Sequence, residues 1–394
     1  MSTRSTLEFL KTETGSGVLL AAAALVAVIW ANSPWAASYA AFVGYPIPIR
    51  LGPFAEEMYL GAWVKTALMP IFFFVVGLEI KQEVLRGELS NPRRLALPVV
   101  AALGGVAVPA AIYLAFNLGA DGAPRGWPTP AATDIAFALA ALSVAAPRLP
   151  PTLRVFLLTL AIADDLAAVA LIAVLFTEEL RPWMLGAALA TLAVMAGMSR
   201  WRRAPYVFWA VGFILLWGFT LKSGVNTSLA GVAAAFCLPL EPKRAGGHGV
   251  LEEVMEALHP YVAFFILPLF ALTAAGFTLS GLPGEVMFGP ISLGVAVALF
   301  VGKQLGVFGA AAAVIGLKLA RRPTGARWLE LYGVSVLCGI GFTMSLYIGE
   351  LAFPESDVLA QTQVRVGVIA GSVVSALVGM AVLAWSQARR GPES

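Results

Sequence analysis

The sequence predicts an all-α protein that crosses a membrane many times. Of its 394 residues, 59% are hydrophobic and only 12% are charged, and the mean hydropathy is +0.84. Soluble globular domains do not have this composition, so lipid is the expected solvent for most of the chain. Apolar runs long enough to cross the hydrocarbon core as helices recur along the whole sequence. Between these runs, Lys and Arg concentrate in alternate connections, as they do in multi-pass proteins.

Twelve apolar runs predict twelve transmembrane helices within a single membrane domain, residues 1–394. Several contain Gly and Pro, which membrane helices tolerate. The first six runs are Gly17–Trp30, Gly61–Ile80, Leu95–Phe116, Trp127–Ala146, Thr152–Phe176 and Trp183–Met198. The second six are Pro205–Leu221, Val225–Leu240, Leu258–Thr278, Pro290–Leu317, Trp328–Phe353 and Val364–Trp385.

The distribution of basic residues predicts the orientation. With the N-terminus in the cytoplasm, 19 of the 26 Lys and Arg residues lie on the inside and only five lie in outside connections. Cytoplasmic connections carry such an excess, so both termini are expected in the cytoplasm. The stretch up to Thr14 precedes no clear cleavage site, which favours a retained first span over a signal peptide. The basic residues form short clusters and no basic face, so nucleic-acid binding is not expected.

The longest outside connection, residues 31–60, contains an alternating stretch with turn residues from Tyr45 to Phe54. This pattern predicts either a small external β-hairpin or a structureless loop.

Four ionisable residues lie well inside predicted spans: Asp134, Asp164, Asp165 and Lys303. Each costs roughly 2.5 to 3.5 kcal/mol to place in the bilayer on insertion scales. Asp164 and Lys303 lie near the middle of their spans and are expected to form a buried pair. Because neighbours on a helix point about 100° apart, either aspartate can face Lys303 while the other faces a cavity. Holding helices together would explain one Asp and one Lys, but it leaves two carboxylates uncompensated.

Spans four and eleven are poor continuous helices. Span four begins with Pro128–Asp134, and span eleven has Gly339–Thr343 at its centre. The two spans are seven apart and run in opposite directions, as expected of inverted repeats in which spans three to five oppose spans ten to twelve. Interruption leaves helix ends of both signs at mid-membrane, which Asp134 and Lys303 have the charges to neutralise. For the glycines alone, close helix packing is an equally good explanation.

Motifs at these positions and in other spans resemble the NhaA family of sodium/proton antiporters, and they extend from the first span to the eleventh. They are Trp30–Pro34, Phe72–Lys81 (FFFVVGLEIK), Ala132–Ala138 (ATDIAFA), Ala161–Leu166 (AIADDL), Gly302–Lys303, Gly339–Ser345 (GIGFTMS), Ser223–Val225, Ala230–Val232 and Leu258–Pro260.

The resemblance implies an electrogenic, pH-dependent antiporter of the bacterial inner membrane that exchanges Na⁺ or Li⁺ for H⁺. It implies neither enzymatic activity nor a cofactor. The family fold has core spans, here 95–176 and 290–385, packed on interface spans, here 17–80 and 183–278. The family dimerises through an external hairpin, which matches Ile47–Phe54. The expected partners are therefore the ions, membrane lipids and a second copy of the chain.

The resemblance also implies roles for individual residues. Asp164 and Asp165 would bind the metal ion, Na⁺ or Li⁺, and protons. Thr133 and Asp134 would belong to the discontinuous fourth span, and Lys303 would pair with an aspartate. Further residues are assigned to the discontinuous eleventh span (Gly339, Gly341, Thr343) and to the pH response (Glu79, Glu83, Glu252, Glu253, Glu256, His259). The chain departs from the family pattern at Val64, Lys65, Asn226, Ala274 and around Glu252, which affects the expected pH profile and transport rate.

A buried pair of carboxylates suggests the mechanism. Burial and mutual repulsion favour proton uptake, while carboxylate oxygens suit small hard cations, so the two ligands compete. Exchange follows if the site changes sides of the membrane only when it is loaded. Lys303 either carries one of the exchanged protons or only stabilises the site.

Three other functions fit parts of the pattern. An intramembrane aspartyl protease needs its carboxylates on different helices, and its Gly-x-Gly-Asp signature is missing from the sequence. A mid-membrane lysine could form a retinal Schiff base, although twelve spans argue against it. The nearest competitor is a transporter that moves an organic solute with sodium.

Overall fold

The computed structural model describes residues 13–51, 54–87, 92–119, 122–177, 180–200, 204–240, 249–278 and 284–390. These residues are mostly helical. The first elements are α1 (Glu13–Ala31), α2 (Ala36–Val43), β1 (Pro46–Leu51), β2 (Phe54–Tyr59), α3 (Leu60–Arg86), α4 (Pro92–Asn117), α5 (Ile135–Ala145) and α6 (Pro151–Leu175). The remaining elements are α7 (Pro182–Met198), α8 (Tyr206–Ser223), α9 (Ser228–Cys237), α10 (Val250–Ala274), α11 (Gly284–Phe288), α12 (290–316), α13 (Trp328–Leu337), α14 (Phe342–Ala352) and α15 (Val358–Ala388).

Many of these helices can cross a membrane. In the described part of the chain, eight helices are long and apolar enough, and two bent helix pairs raise the number to ten. Two further apolar helices, α7 and α9, are shorter, with 17 and 10 residues. The chain is therefore a polytopic α-helical membrane protein, as its composition predicts.

The connection before α3 contains an antiparallel hairpin. Its strands pair from Pro46 with Tyr59 to Leu51 with Phe54, so the prediction of a hairpin is confirmed over that of a loop. Both strands are sheet edges, which is where proline is tolerated in a strand. The second strand extends well beyond the alternating stretch that ends at Phe54. The indole N–H of Trp63 donates to the Ile47 carbonyl at 2.8 Å and ties the hairpin to α3.

The two bent pairs occur where the sequence predicts interruptions. In each pair the axis bends by 43°. Before α5 the chain forms only two 3₁₀ turns, Pro124–Gly126 and Thr129–Ala131, because its prolines lack the N–H groups that a longer helix needs. The helix predicted from Trp127 therefore begins later, at Ile135.

The glycines of the second break serve both of the roles considered for them. They lie in the gap between α13 and α14, and they also allow close packing. A Cβ atom on Gly339 would lie 2.5 Å from the Leu299 carbonyl oxygen, and one on Gly341 would lie 3.1 Å from that of Ala132. Interruption and close packing thus coincide.

The described chain divides into two compact units, and residues 1–33, 88–168 and 274–394 delimit the first. Within it, α4 and α12 cross with their backbones in contact. A Cβ on Gly104 would lie 2.3 Å from the Gly306 oxygen, and one on Gly306 would lie 2.1 Å from the Gly104 oxygen. Lys303 lies on α12 between two π-helical turns, a feature frequent at functional sites. The close crossing brings this lysine next to α4.

The second unit comprises residues 34–87 and 169–273. Its helices α3 and α9 also pack closely, since a Cβ on Gly231 would lie 2.2 Å from the Pro70 oxygen. The buried ammonium of Lys81 donates to the carbonyls of Phe236 and Leu238, at 2.7 and 2.5 Å. A cation at the C-terminal end of α9 matches the negative end of the helix dipole.

Candidate ion-binding site

One carboxylate caps the N-termini of both half-helices that follow the breaks. Asp134 precedes α5, and its Oδ1 accepts the Phe137 N–H at 3.1 Å. Its Oδ2 accepts from both the backbone N–H and the hydroxyl of Thr343 in α14, at 3.0 and 2.5 Å. Asp134 is 2% exposed. A negative charge thus lies at two positive helix ends, where it stabilises both.

Lys303 and Asp164 form a fully buried ion pair. The Lys303 Nζ lies 2.7 Å from Asp164 Oδ2, and both side chains are 0% exposed. The same Nζ donates to the Ala131 carbonyl at 2.6 Å and to Thr133 Oγ1 at 3.2 Å. An ammonium group has three N–H donors, and here each has an acceptor. The arrangement therefore fits a charged lysine, and it selects Asp164 over Asp165 as the partner of Lys303.

Thr133 links the ion pair to both breaks. Its Oγ1 lies 2.7 Å from Asp164 Oδ2 and 3.0 Å from the Cys338 carbonyl, and its single proton can serve one of them at a time. The Ala131 and Cys338 carbonyls lie where the first segment of each bent pair ends. Lys303 thus lies near carbonyl groups at the negative C-terminal ends of the segments before the breaks. Asp134 lies at the positive N-terminal ends of the helices after them.

Asp165 follows Asp164 in α6 and is 1% exposed. The helical step of about 100° directs the two side chains differently. Two neighbouring carboxylates are thus removed from water, and Lys303 is the counter-ion of Asp164.

The residues expected to respond to pH lie in the other unit. Glu79 and Glu83 are on α3, while the remaining ones are on α10, which packs against it. Arg86 and Glu252 form an ion pair of 3.6 Å between these helices. On the same helix, Glu253 accepts a hydrogen bond from the Tyr206 hydroxyl. The structure therefore gathers these residues on two neighbouring helices, and their role stays a prediction.

The residues that depart from the family pattern lie in the second unit, or next to its boundary in the case of Ala274. Val64 and Lys65 lie in the π-helical turn of α3. The Asn226 side chain accepts the Ser228 N–H at 2.9 Å, just before α9. Ala274 ends α10.

Sequence reasoning missed three groups beside the ion pair and one buried acid elsewhere on α13. The carbonyls of Ala131 and Cys338 carry no side-chain signal. Gly105 of α4 adjoins the ion pair, and only its place in the apolar Gly104-Gly105 pair could have drawn notice. Glu330 is 0% exposed and pairs with Arg390 at 2.6 Å. Its position inside the predicted eleventh span was the available signal.

A helical membrane protein whose interrupted helices surround buried, paired charges has the architecture of a secondary ion transporter. Sequence comparison identifies which kind. Residues 7–383 match the family model described as Na⁺/H⁺ antiporter 1.

Full-length relatives agree with this match. The chain is 47% identical to the Na⁺/H⁺ antiporter NhaA of Rhodospirillum rubrum, over 100% of this chain and 99% of that protein. It is 47% identical to the Na⁺/H⁺ antiporter NhaA 2 of Pseudomonas syringae pv. syringae, over 95% and 93% of the two chains. It is 46% identical to the Na⁺/H⁺ antiporter NhaA of Nitrobacter hamburgensis, over 95% and 90%. The chain belongs to the NhaA family of Na⁺/H⁺ antiporters, which are transporters rather than enzymes and use no cofactor.

Proposed function

We propose that this chain exchanges Na⁺ or Li⁺ for H⁺ across the bacterial inner membrane, and that Asp164 and Asp165 are where the ions compete. The observation that carries the proposal is the fully buried pair of Asp164 and Lys303 beside a second buried carboxylate. Two neighbouring carboxylates withdrawn from water in mid-span are costly to keep for packing alone, and their oxygens suit a small hard cation or protons.

Competition follows from the chemistry of the carboxylates. Two negative charges held close together in a medium of low dielectric repel each other and are poorly solvated. A bound cation relieves this strain, and so does a bound proton, but the same oxygen atoms serve both. Each ligand therefore displaces the other, and a gradient of one drives the other.

The charge of Lys303 couples cation binding to proton release. In the structure its ammonium is the counter-ion of Asp164. A cation that binds Asp164 replaces Lys303 as its counter-ion. Binding of the cation is therefore coupled to the release of one positive charge, a proton, from the site. This coupling operates whether the released proton comes from Lys303 or from an aspartate.

The breaks support alternating access. Half-helix ends at the centre of a span allow small rotations to open the site to one side or the other. Asp134 holds two of these ends through Phe137 and Thr343. The loaded site then changes sides, whereas an empty site with an uncompensated buried charge does so at high cost.

The proposed topology has twelve spans, which adds α7 and α9 to the eight long helices and the two bent pairs. The basic residues support cytoplasmic termini, with 19 of 26 on that side. Inverted repeats would relate spans three to five to spans ten to twelve, and the two bent pairs are corresponding members. We assign 95–176 and 290–385 to the core, and 17–80 and 183–278 to the interface spans, although α1 packs on α5.

Dimerisation through the hairpin and pH control by the acidic residues of α3 and α10 complete the proposal. The hairpin is anchored to its own unit by the ion pair of Lys222 with Glu56, which supports a rigid docking element. Lipids surround the apolar helices.

Everted membrane vesicles test the exchange. Respiration acidifies their interior, and added NaCl or LiCl should collapse the pH gradient, whereas KCl should not. Asp164→Asn and Asp165→Asn should each abolish the collapse at normal protein level. Asp357→Asn is the matched control, because Asp357 is an exposed N-cap of α15 and asparagine caps equally well. Collapse in both aspartate variants, or a response to all three salts alike, would refute the proposal.

A further inference from the structure

Lys303 is flanked on both sides by π-helical turns of α12. The turns are Ala298–Gly302 and Gln304–Phe308. A π-helical turn holds one residue more than an α-helical turn, and such turns are rare and frequent at functional sites. If one of them relaxed to α-helical geometry, the residues between them would shift by up to one position, which rotates a side chain by about 100° around the helix axis. The ion pair of Lys303 with Asp164 therefore depends on both turns keeping their form.

The Gln304 side chain bridges these two turns. Its amide nitrogen donates to the Phe300 carbonyl, in the first turn, at 2.7 Å. Gln304 itself is the first residue of the second turn, so this hydrogen bond spans Lys303. Within a membrane span little water competes for such a bond. The bond therefore fixes the helix on both sides of Lys303.

Tyr332 of α13 contacts the second turn at both of its ends. Its hydroxyl donates to Gln304 Oε1 at 2.7 Å, and its ring lies edge to face against the Phe308 ring, with 5.3 Å between the ring centroids. Gln304 and Phe308 are the first and last residues of that turn. The Gln304 amide thus uses its nitrogen for Phe300 and its oxygen for Tyr332. Through this amide, α13 is joined to the helix segment that carries Lys303.

We propose that Gln304 and Tyr332 are positioning residues, which hold the π-helical turns in the form that directs Lys303 towards Asp164. This inference rests on the proposed function, in which a cation replaces Lys303 as the counter-ion of Asp164. A lysine that is held firmly against the carboxylate competes strongly with the cation. Loosening the lysine makes it easier to displace, so the protein then binds Na⁺ more tightly. General damage to the site has the opposite effect, because it weakens binding.

Calorimetric titration of the purified protein with NaCl at one alkaline pH measures the dissociation constant of Na⁺. Tyr332→Phe removes one hydroxyl and keeps the ring against Phe308, so we expect the constant to fall about twofold to tenfold, the range for one hydrogen bond. Gln304→Met removes both bonds at similar side-chain length and should lower the constant at least as much. Tyr113→Phe is the matched control, because the Tyr113 hydroxyl donates to the Ala123 carbonyl at 2.9 Å, outside α12. Its constant should equal that of the wild type.

The Lys303→Ala background tests whether the effect passes through the lysine. In that background Tyr332→Phe should leave the dissociation constant unchanged, since no ammonium remains to be positioned. An equal fall in both backgrounds would show that the tyrosine acts by another route, and the proposal would be wrong. It would also be wrong if Tyr332→Phe and Gln304→Met both kept or raised the wild-type constant.

The outcomes separate the two proposals. Wild-type everted vesicles that show no Na⁺-dependent collapse of the pH gradient refute the exchange function itself. An active wild type whose Na⁺ binding is unchanged or weakened by loss of the Tyr332 hydroxyl refutes the positioning role alone.

Discussion

Removal of Lys303 tests the buried ion pair most sharply. Lys303→Ala deletes the counter-ion of a carboxylate that is 0% exposed and leaves Asp164 with the Thr133 hydroxyl. Loss of one partner from a buried pair destabilises a protein by about 3–5 kcal/mol. With an unfolding entropy of roughly 2 cal/mol/K per residue, the midpoint of a 394-residue chain falls by about 4–6 °C.

The double variant Asp164→Asn/Lys303→Ala removes both charges and should recover more than half of this loss. At acid pH the loss in Lys303→Ala should shrink, because Asp164 then takes up a proton and no uncompensated charge remains.

Thermal unfolding in detergent can be followed with a thiol-reactive dye, since Cys237 and Cys338 are both buried and free. Arg321→Ala is the control, because it removes an exposed cation. The reasoning fails if Lys303→Ala unfolds at the wild-type temperature, or if the double variant is no more stable than the single one.

Two further predictions concern other buried charges and use the same dye assay. Asp134→Ala should lower the free energy of unfolding by about 2 kcal/mol, because a typical N-cap contributes about 1 kcal/mol and this carboxylate caps two helices. Asp357→Ala removes the cap of α15 alone, and an equal loss in the two variants would contradict the double cap. Arg390→Ala should lower the free energy of unfolding by about 3–5 kcal/mol, because it leaves the buried Glu330 without its ion-pair partner. The double variant Glu330→Gln/Arg390→Ala should regain much of this stability. A stable Arg390→Ala would show that the pair does not hold the end of α15.

Much of the candidate site was predictable because charge is conspicuous in an apolar chain. Asp134, Asp164 and Lys303 stand out by the cost of burying them. The charges of Asp134 and Lys303 also match the helix ends that they approach. The breaks were predictable because prolines and glycines in the middle of an apolar span disfavour a continuous helix.

The sequence could not show which aspartate pairs with Lys303. Asp164 and Asp165 are neighbours of the same type, and the choice depends on the rotation of α6 about its axis, which packing sets. The carbonyls of Ala131 and Cys338 were equally hidden, since every residue has a carbonyl and only the backbone path shows which ones are unused by a helix.

The limits of local elements were predicted less well than their positions. Span four was expected from Trp127, but regular helix begins only at Ile135. The second strand of the hairpin begins at Phe54 and continues to Tyr59, because its pairing with Pro46–Leu51 decides its length more than its own pattern does.

The central claim is that a metal ion and protons exclude each other at the aspartates of α6. Calorimetric titration of purified protein with NaCl over a series of pH values measures this directly. The account predicts that apparent Na⁺ affinity falls as the pH is lowered, approaching about tenfold per pH unit for each proton displaced. An affinity that stays constant over that series would contradict it.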